Sequence, residues 1–275
     1  GSLLMSGISA FWQSRYRTDA PADMPDNETL RLLLSHHSVR AYLPDPLPPG
    51  ALEIGIAAAS SVATSSNLQS WSVVAVEDAE TRKKIAALCG NQKHVQTAPL
   101  FLAWVVDLGR LERIADRSGF GHEALEYQEA FLMSSLDTGI AAQNAVTAFE
   151  SLGLGTVYIG GLRNHPDDVA ELLGLPPKTV AVVGLCVGYP DPEHQTGIKP
   201  RLPQDVVLHH ERYETAQEAE AIGNYDQRAD AYQQEQGLPS RAWSDTVAER
   251  VARVKGLGGR HVIHDVLNRL GFLLK

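Results

Sequence analysis

ESLGLGTVYIGGLRN, from Glu150 to Asn164, joins the end of a long helical pattern to a short run of β-branched and aromatic residues. Its glycine spacing invites comparison with a dinucleotide-binding turn, yet that fingerprint needs a strand before the glycines and a helix after them. Here the order is reversed. Upstream, Leu125, Phe131, Leu132, Leu136, Ile140, Ala141, Ala145, Phe149 and Leu152 recur at three- and four-residue steps, which predicts a helix over Glu123 to Leu152. A helix of about 30 residues is about 45 Å long, enough to serve as the spine of a domain or of a dimer interface. Gly153 or Gly155 then stops the helix, Thr156 to Ile159 reads as a strand, and Gly160-Gly161 leaves bare backbone able to approach something flat.

Further out, Trp71 to Val76, Pro99 to Asp107 and Thr179 to Val187 have the length and the Val and aromatic content of strands. Asn27 can cap a helix through Leu34, Pro48 to Ala59 suits a second, and Asp78 can cap a third that ends before Gly90. Pro166 to Leu173 reads as another, and the chain beyond Thr215 is mostly helical. Strands separated by helices predict a mixed α and β architecture around one central sheet. We expect residues 1–27 to be a mobile leader and 28–275 a single domain, in which 204–275 is a helical extension.

Composition bounds the function. The 275 residues include 24 Lys plus Arg against 33 Asp plus Glu, a net charge of −9 that disfavours binding along a nucleic acid backbone. The only two cysteines, Cys89 and Cys186, lie far apart with no metal-finger spacing, which argues against a disulfide scaffold and fits a cytoplasmic protein. The longest apolar runs are about eight residues against the roughly 20 needed to span a bilayer. Gly1-Ser2 looks like an expression scar, and nothing following it reads as a signal peptide.

Three polar clusters stand out. His36-His37-Ser38-Val39-Arg40 puts a guanidinium, a hydroxyl and two imidazoles within five residues, a compact donor set for a phosphate, although a solvated helix end would have the same composition. Thr64-Ser65-Ser66-Asn67-Leu68-Gln69 is either a plain turn or a loop offering hydroxyls and amides to a polar ring or sugar chain. Lys199-Pro200-Arg201 makes a rigid pair of cations in an acidic protein. His209-His210 and His261 with His264 lack the spacing of a helical metal site, so we expect no metal. Cys186 reads as inert packing.

Together, in this order, HHSVR, TSSNLQ, NQKHVQ, ESLGLGTVYIGGLRN, GLCVGYP and KPRLP resemble the FMN-dependent nitroreductase superfamily, in its branch of NADPH-linked oxygen-insensitive nitroreductases and flavin reductases. The resemblance implies an α+β fold with a central, mainly antiparallel sheet flanked by helices, and a homodimer with FMN at the subunit interface. It implies that His36, His37, Ser38, Val39 and Arg40 meet the FMN phosphate and ribityl chain together with Lys199 and Arg201. Thr64, Ser65, Asn67 and Gln69 would line the loop beside ribityl and ring, Gln92 would hydrogen-bond the flavin, and the backbone of Tyr158, Ile159, Gly160 and Gly161 would lie along the isoalloxazine. Arg260, Arg241, Tyr232 and Ser66 are the corresponding candidates for substrate or NADPH.

Two positions depart from the branch. His37 stands where Arg is usual, which keeps a donor but not a permanent charge. Gln236 stands where a second Arg often meets the NADPH phosphate, so NADH is the alternative donor. The implied activity is that of a flavoprotein oxidoreductase in which NAD(P)H gives a hydride to flavin N5 and a nitroaromatic or quinone then takes two electrons, with ping-pong kinetics. A flavin reductase supplying reduced FMN to a monooxygenase is the alternative enzyme, and a flavin-binding or sensory protein is the alternative outside catalysis. No catalytic side chain is assigned, and no nucleic acid or membrane partner is expected.

Overall fold

Every residue from Leu100 to Asp107 is buried. Leu100, Leu102 and Trp104 enter one apolar cluster, whereas Phe101, Ala103 and Val105 enter another. Because successive side chains on a strand point to opposite faces, one strand here serves two cores. This strand lies in the interior of the sheet in a computed structural model that describes residues 7–275.

In chain order the elements are α1 (Ile8–Tyr16), α2 (Glu28–Leu34), α3 (Ala51–Ser60), β1 (Trp71–Val76), α4 (Ala79–Leu88), α5 (Lys93–Thr97), β2 (Leu100–Asp107), α6 (Leu108–Arg117) and α7 (Gln128–Ser151). Then follow β3 (Gly155–Ile159), α8 (Pro166–Leu173), β4 (Thr179–Gly188), α9 (Gln204–Val207), α10 (Glu218–Glu235), α11 (Trp243–Ala252) and α12 (Ile263–Arg269). The strands form one sheet in the order β1-β2-β4-β3 with every pairing antiparallel, as the family resemblance implies. No described helix is long and apolar enough to cross a membrane.

The chain divides into two compact units. The sheet unit comprises residues 38–195 and 258–275, and the helical unit comprises the residues up to 37 with 196–257. In the sheet unit, α3 and α7 cover one face and α4, α5 and α8 the other. A third apolar cluster packs Leu267 of α12 and Phe272 against Val106, Val180 and the start of α7.

Local chemistry sets the helix ends. Asn27 accepts from Leu30 N–H at 2.8 Å, Asp78 from Thr81 N–H at 2.9 Å and Asp107 from Arg110 N–H at 2.9 Å, each satisfying a donor left over in a first turn. Helix α7 begins five residues later than its apolar pattern suggests. Glu123–Glu126 is a separate 3₁₀ turn, and Tyr127 is extended because the last residue of the chain pairs there: Lys275 N–H donates to the Glu126 carbonyl and Gln128 N–H donates to the Lys275 carbonyl, both at 3.0 Å. Within the segment expected to be a mobile leader, Ile8–Tyr16 forms α1 with Phe11 fully buried. Gly1 and Ser2 lie outside the described residues.

Helices α3 and α7 pack tightly at Gly55, where a Cβ would come within 2.3 Å of Phe149 Cζ. Gly55→Ala is therefore expected to lower the unfolding free energy by about 1–3 kcal/mol through overpacking, measured by urea titration. Adding Phe149→Leu should return part of that loss.

Candidate functional site

The sheet unit builds a platform at its β3 edge. Val39 N–H donates to the Thr156 carbonyl at 2.9 Å, and Gly155 lets Val39 lie flat on the strand, since a Cβ there would stand 2.7 Å from the valine methyl. Ser38, Val39 and Arg40 thus run beside β3. At the far end of β3 the chain turns through the 3₁₀ segment Gly160–Arg163. Gly161 packs on the Cys89 carbonyl, 2.9 Å from where its Cβ would be, and Gln92 is fixed beside it by donating Nε2–H to that carbonyl at 2.8 Å.

Gly160 itself is half-buried. The nearest atoms to a Cβ placed on it are guanidinium nitrogens of Arg163 and Arg260, at 3.6 and 3.8 Å. Arg163 donates to the Val182 carbonyl at 2.6 Å, where β4 has one residue more than β2 opposes. Arg260 donates Nε–H to Asn164 Oδ1 at 2.9 Å. Both of these partners are neutral, and burial together with the neighbouring Arg260 lowers the pKa of Arg163. A bare peptide beside two cations in an acidic protein is suited to a flat polar ring that carries negative charge.

The Ser-rich loop is held by a carboxylate that the sequence reading did not single out. Asp137 of α7, 4 % exposed, accepts from Thr64 Oγ1 at 2.5 Å, Ser65 N–H at 3.1 Å and Ser70 Oγ at 3.1 Å. Arg110 donates to the carbonyls of Gln69 and Trp71 at 2.8 and 2.9 Å. Between these anchors Ser66, Asn67 and Gln69 adopt φ of 49°, 55° and 51°, a left-handed conformation that costs a residue other than glycine roughly 1–2 kcal/mol. Gln69 Nε2–H donates to Asn67 Oδ1 at 2.9 Å, so these two amides are oriented together.

The helical unit gathers the other cations. Tyr225 and Tyr232 of α10 donate their hydroxyls to the carbonyls of Pro200 and Gly197, both at 3.0 Å, and so fix the loop that carries Lys199 and Arg201. His36 joins the same neighbourhood through Arg15, which donates to the carbonyls of both His36 and Lys199. His37 turns its Nδ1 to the Ser35 carbonyl at 3.2 Å. Tyr232 is buried, and Arg241 is paired with Glu249. Outside both areas, Glu112, Asp116 and His122 come together, with the Glu112 carboxylate bonded to Lys178.

The sequence clusters thus divide between the units: Ser38 to Arg40, 64–69, Gln92, 158–161 and Arg260 are in the sheet unit, and His36, His37, Lys199, Arg201, Tyr232 and Arg241 in the helical unit. Asp137, Arg163 and Arg15 were missed. Arg163 sits inside the quoted glycine motif, and Asp137 is an acidic residue on a helix otherwise faced by small and apolar side chains, which is the signal that could have found each.

Comparison with known proteins gives a consistent result. The model of the Nitroreductase family matches residues 33–189, and that of the Nitroreductase family, C-terminal domain, matches 199–275. The chain is 36% identical over 228 residues to the NADPH-flavin oxidoreductase of Vibrio harveyi, covering 82% of this chain and 92% of that one. It is 35% identical over 244 residues to the oxygen-insensitive NADPH nitroreductase of Salmonella typhimurium, covering 89% and 98%. The structure of the hypothetical oxidoreductase YcnD from Bacillus subtilis superposes with a TM-score of 0.86 at 35% identity, over 90% of this chain and 99% of that one.

Two outcomes follow from the geometry. Asp137→Ala leaves two hydroxyls and an amide without their acceptor, so unfolding by urea should show a loss of about 3 kcal/mol, with Asp137→Asn losing less. His94 Nε2 is buried without a partner, and burial and Arg40 hold the imidazole below its usual pKa. On acidification below about pH 6.5 the unfolded chain takes up this proton first, so stability falls with pH in that window. His94→Gln should flatten the fall in thermal denaturation recorded from pH 7 to 5.

Proposed function

This chain belongs to the nitroreductase family, and on that premise we propose that it is an NAD(P)H-dependent FMN oxidoreductase that reduces a small nitroaromatic or quinone in two-electron steps. The observation that carries this reading is Gly160: half-buried backbone with no side chain of its own, with the guanidinium groups of Arg163 and Arg260 beside it. FMN, when bound, supplies the hydride-accepting and hydride-donating chemistry, and the protein supplies placement and charge.

The residues fit that cofactor. His36, His37, Lys199 and Arg201 are the donors for its phosphate, with Ser38 and Arg40 beside β3 continuing the set along the chain. Ser65, Asn67 and Gln69 offer a hydroxyl and amides from a loop that Asp137 fixes in advance through Thr64 Oγ1 and Ser65 N–H, which reduces the ordering cost of binding, and Thr64 contributes by anchoring that loop. Arg163 and Arg260 stabilise negative charge on a ring lying along Tyr158 to Gly161, as fixed cations do in a preorganised site. Tyr232 acts by holding the 197–201 loop.

The protein is further read as a homodimer. Leu132, Leu136 and Ile140 stand four residues apart on α7 and are 54%, 59% and 47% exposed, while Ala141, Ala142, Ala145 and Phe149 on the same helix are buried in the core. An apolar stripe on the outer side of a core helix suits a second copy.

The names of the two curated relatives favour NADPH as the donor. That of the Vibrio protein supports a second reading, in which free flavin is the acceptor and the product serves another enzyme. Mixing the flavin-loaded protein with NADPH in the absence of oxygen tests the first. The visible flavin band should bleach and return on adding a quinone or a nitroaromatic, and steady-state rates should give parallel double-reciprocal lines. A band that does not bleach contradicts the proposal, and faster turnover of added free FMN than of any quinone or nitro compound favours the second reading.

A further inference from the structure

Arg15 closes the last turn of α1 and is only 8 % exposed. Its guanidinium donates to three carbonyls on two separate segments: Leu34 at 3.1 Å and His36 at 2.5 Å, both just past or at the end of α2, and Lys199 at 2.6 Å. A planar fork of N–H donors can bind several acceptors at fixed angles, which a lysine ammonium cannot reproduce. The main chain adds a fourth link, since Arg201 N–H donates to the Arg15 carbonyl at 2.9 Å.

The two following residues fasten the same turn. The Tyr16 hydroxyl accepts from Gln204 Nε2–H at 3.3 Å, and Arg17 pairs with Glu235 and lies over the Tyr232 ring, whose own hydroxyl is bonded to Gly197. The consecutive residues Arg15, Tyr16 and Arg17 at the end of α1 are thus tied to the 34–36 segment, to Lys199 and Gln204, and to α10. Helix α1 itself precedes residue 33, where the match to the family begins.

We propose that α1 is a built-in support of the phosphate-binding residues and that Arg15 is its positioning residue, resting on the reading of Lys199, Arg201 and His36 as ligands of the FMN phosphate. Arg15 acts through backbone carbonyls. Drawing the His36 carbonyl toward the guanidinium turns the His37 N–H to the opposite side of a planar trans peptide, and drawing in the Lys199 carbonyl fixes the residue from which the lysine side chain departs. The energy of holding this arrangement is then supplied at folding and not at ligand binding.

The test separates the phosphate from the ring by titrating the flavin-free full chain with FMN and with riboflavin, following quenching of flavin fluorescence. The wild type should prefer FMN. Arg15→Ala should raise the Kd for FMN by about tenfold, the scale of one hydrogen bond to a charged group, and leave that for riboflavin within about twofold. Arg15→Lys, which keeps the charge but not the fork, should fall between, and it carries the test if the alanine variant does not fold. An unchanged ratio of the two affinities, or equal weakening of both, overturns the role of Arg15. A wild type with no preference for FMN overturns the underlying reading of Lys199 and Arg201 as phosphate ligands, and α1 with it.

Discussion

The strand order β1-β2-β4-β3 leaves β3 at the edge of the sheet, and most of the platform follows from that position. An edge strand has unpaired backbone groups that must be covered or bonded. Here the Val39 N–H takes the Thr156 carbonyl, so residues from the start of the sheet unit lie along a strand more than a hundred positions later. The same edge releases the chain into Gly160, which is half-buried and lies beside the guanidinium groups of Arg163 and Arg260. Gly161 serves the opposite purpose, since a side chain there would collide with the Cys89 carbonyl and displace Gln92.

Helix α7 links the core to the loop chemistry. Its inner face of small residues lets α3 and the sheet come close, which is why a glycine is needed opposite Phe149. Partway along, Asp137 replaces an apolar contact with three hydrogen bonds to the 64–70 loop. A buried carboxylate is costly unless its acceptors are filled, and the loop fills them. The loop in turn keeps three residues in a strained backbone conformation that short local hydrogen bonds alone would not maintain. The same three hydrogen bonds therefore offset both the strain in the loop and the burial of the carboxylate.

Much of the fold was legible in the chain. Trp71–Val76 and Pro166–Leu173 take the bounds that their composition and punctuation suggest, and Asn27 and Asp78 cap the helices they precede. These features are local. The start of α7 was not legible, because Tyr127 is held extended by Lys275 from the other end of the sequence. Helix α1 escaped for a related reason: the burial of Arg15 shows only through a partner far along the chain, the Lys199 carbonyl. The site shows the same division. Residue type and order marked HHSVR, the Ser-rich loop and KPR, whereas Asp137, Arg163 and Arg15 matter through contacts that no local pattern encodes.

Fixed cations and bare backbone in an acidic chain make sense as a seat for one anionic, flat cofactor. The most direct measurement is the identity and amount of non-covalent cofactor released when the purified protein, after exposure to excess FMN and removal of the free ligand, is denatured by heat and its supernatant analysed by mass spectrometry. FMN in an amount equimolar with the chain is the predicted result. A supernatant without FMN from a protein that is folded by circular dichroism would contradict it.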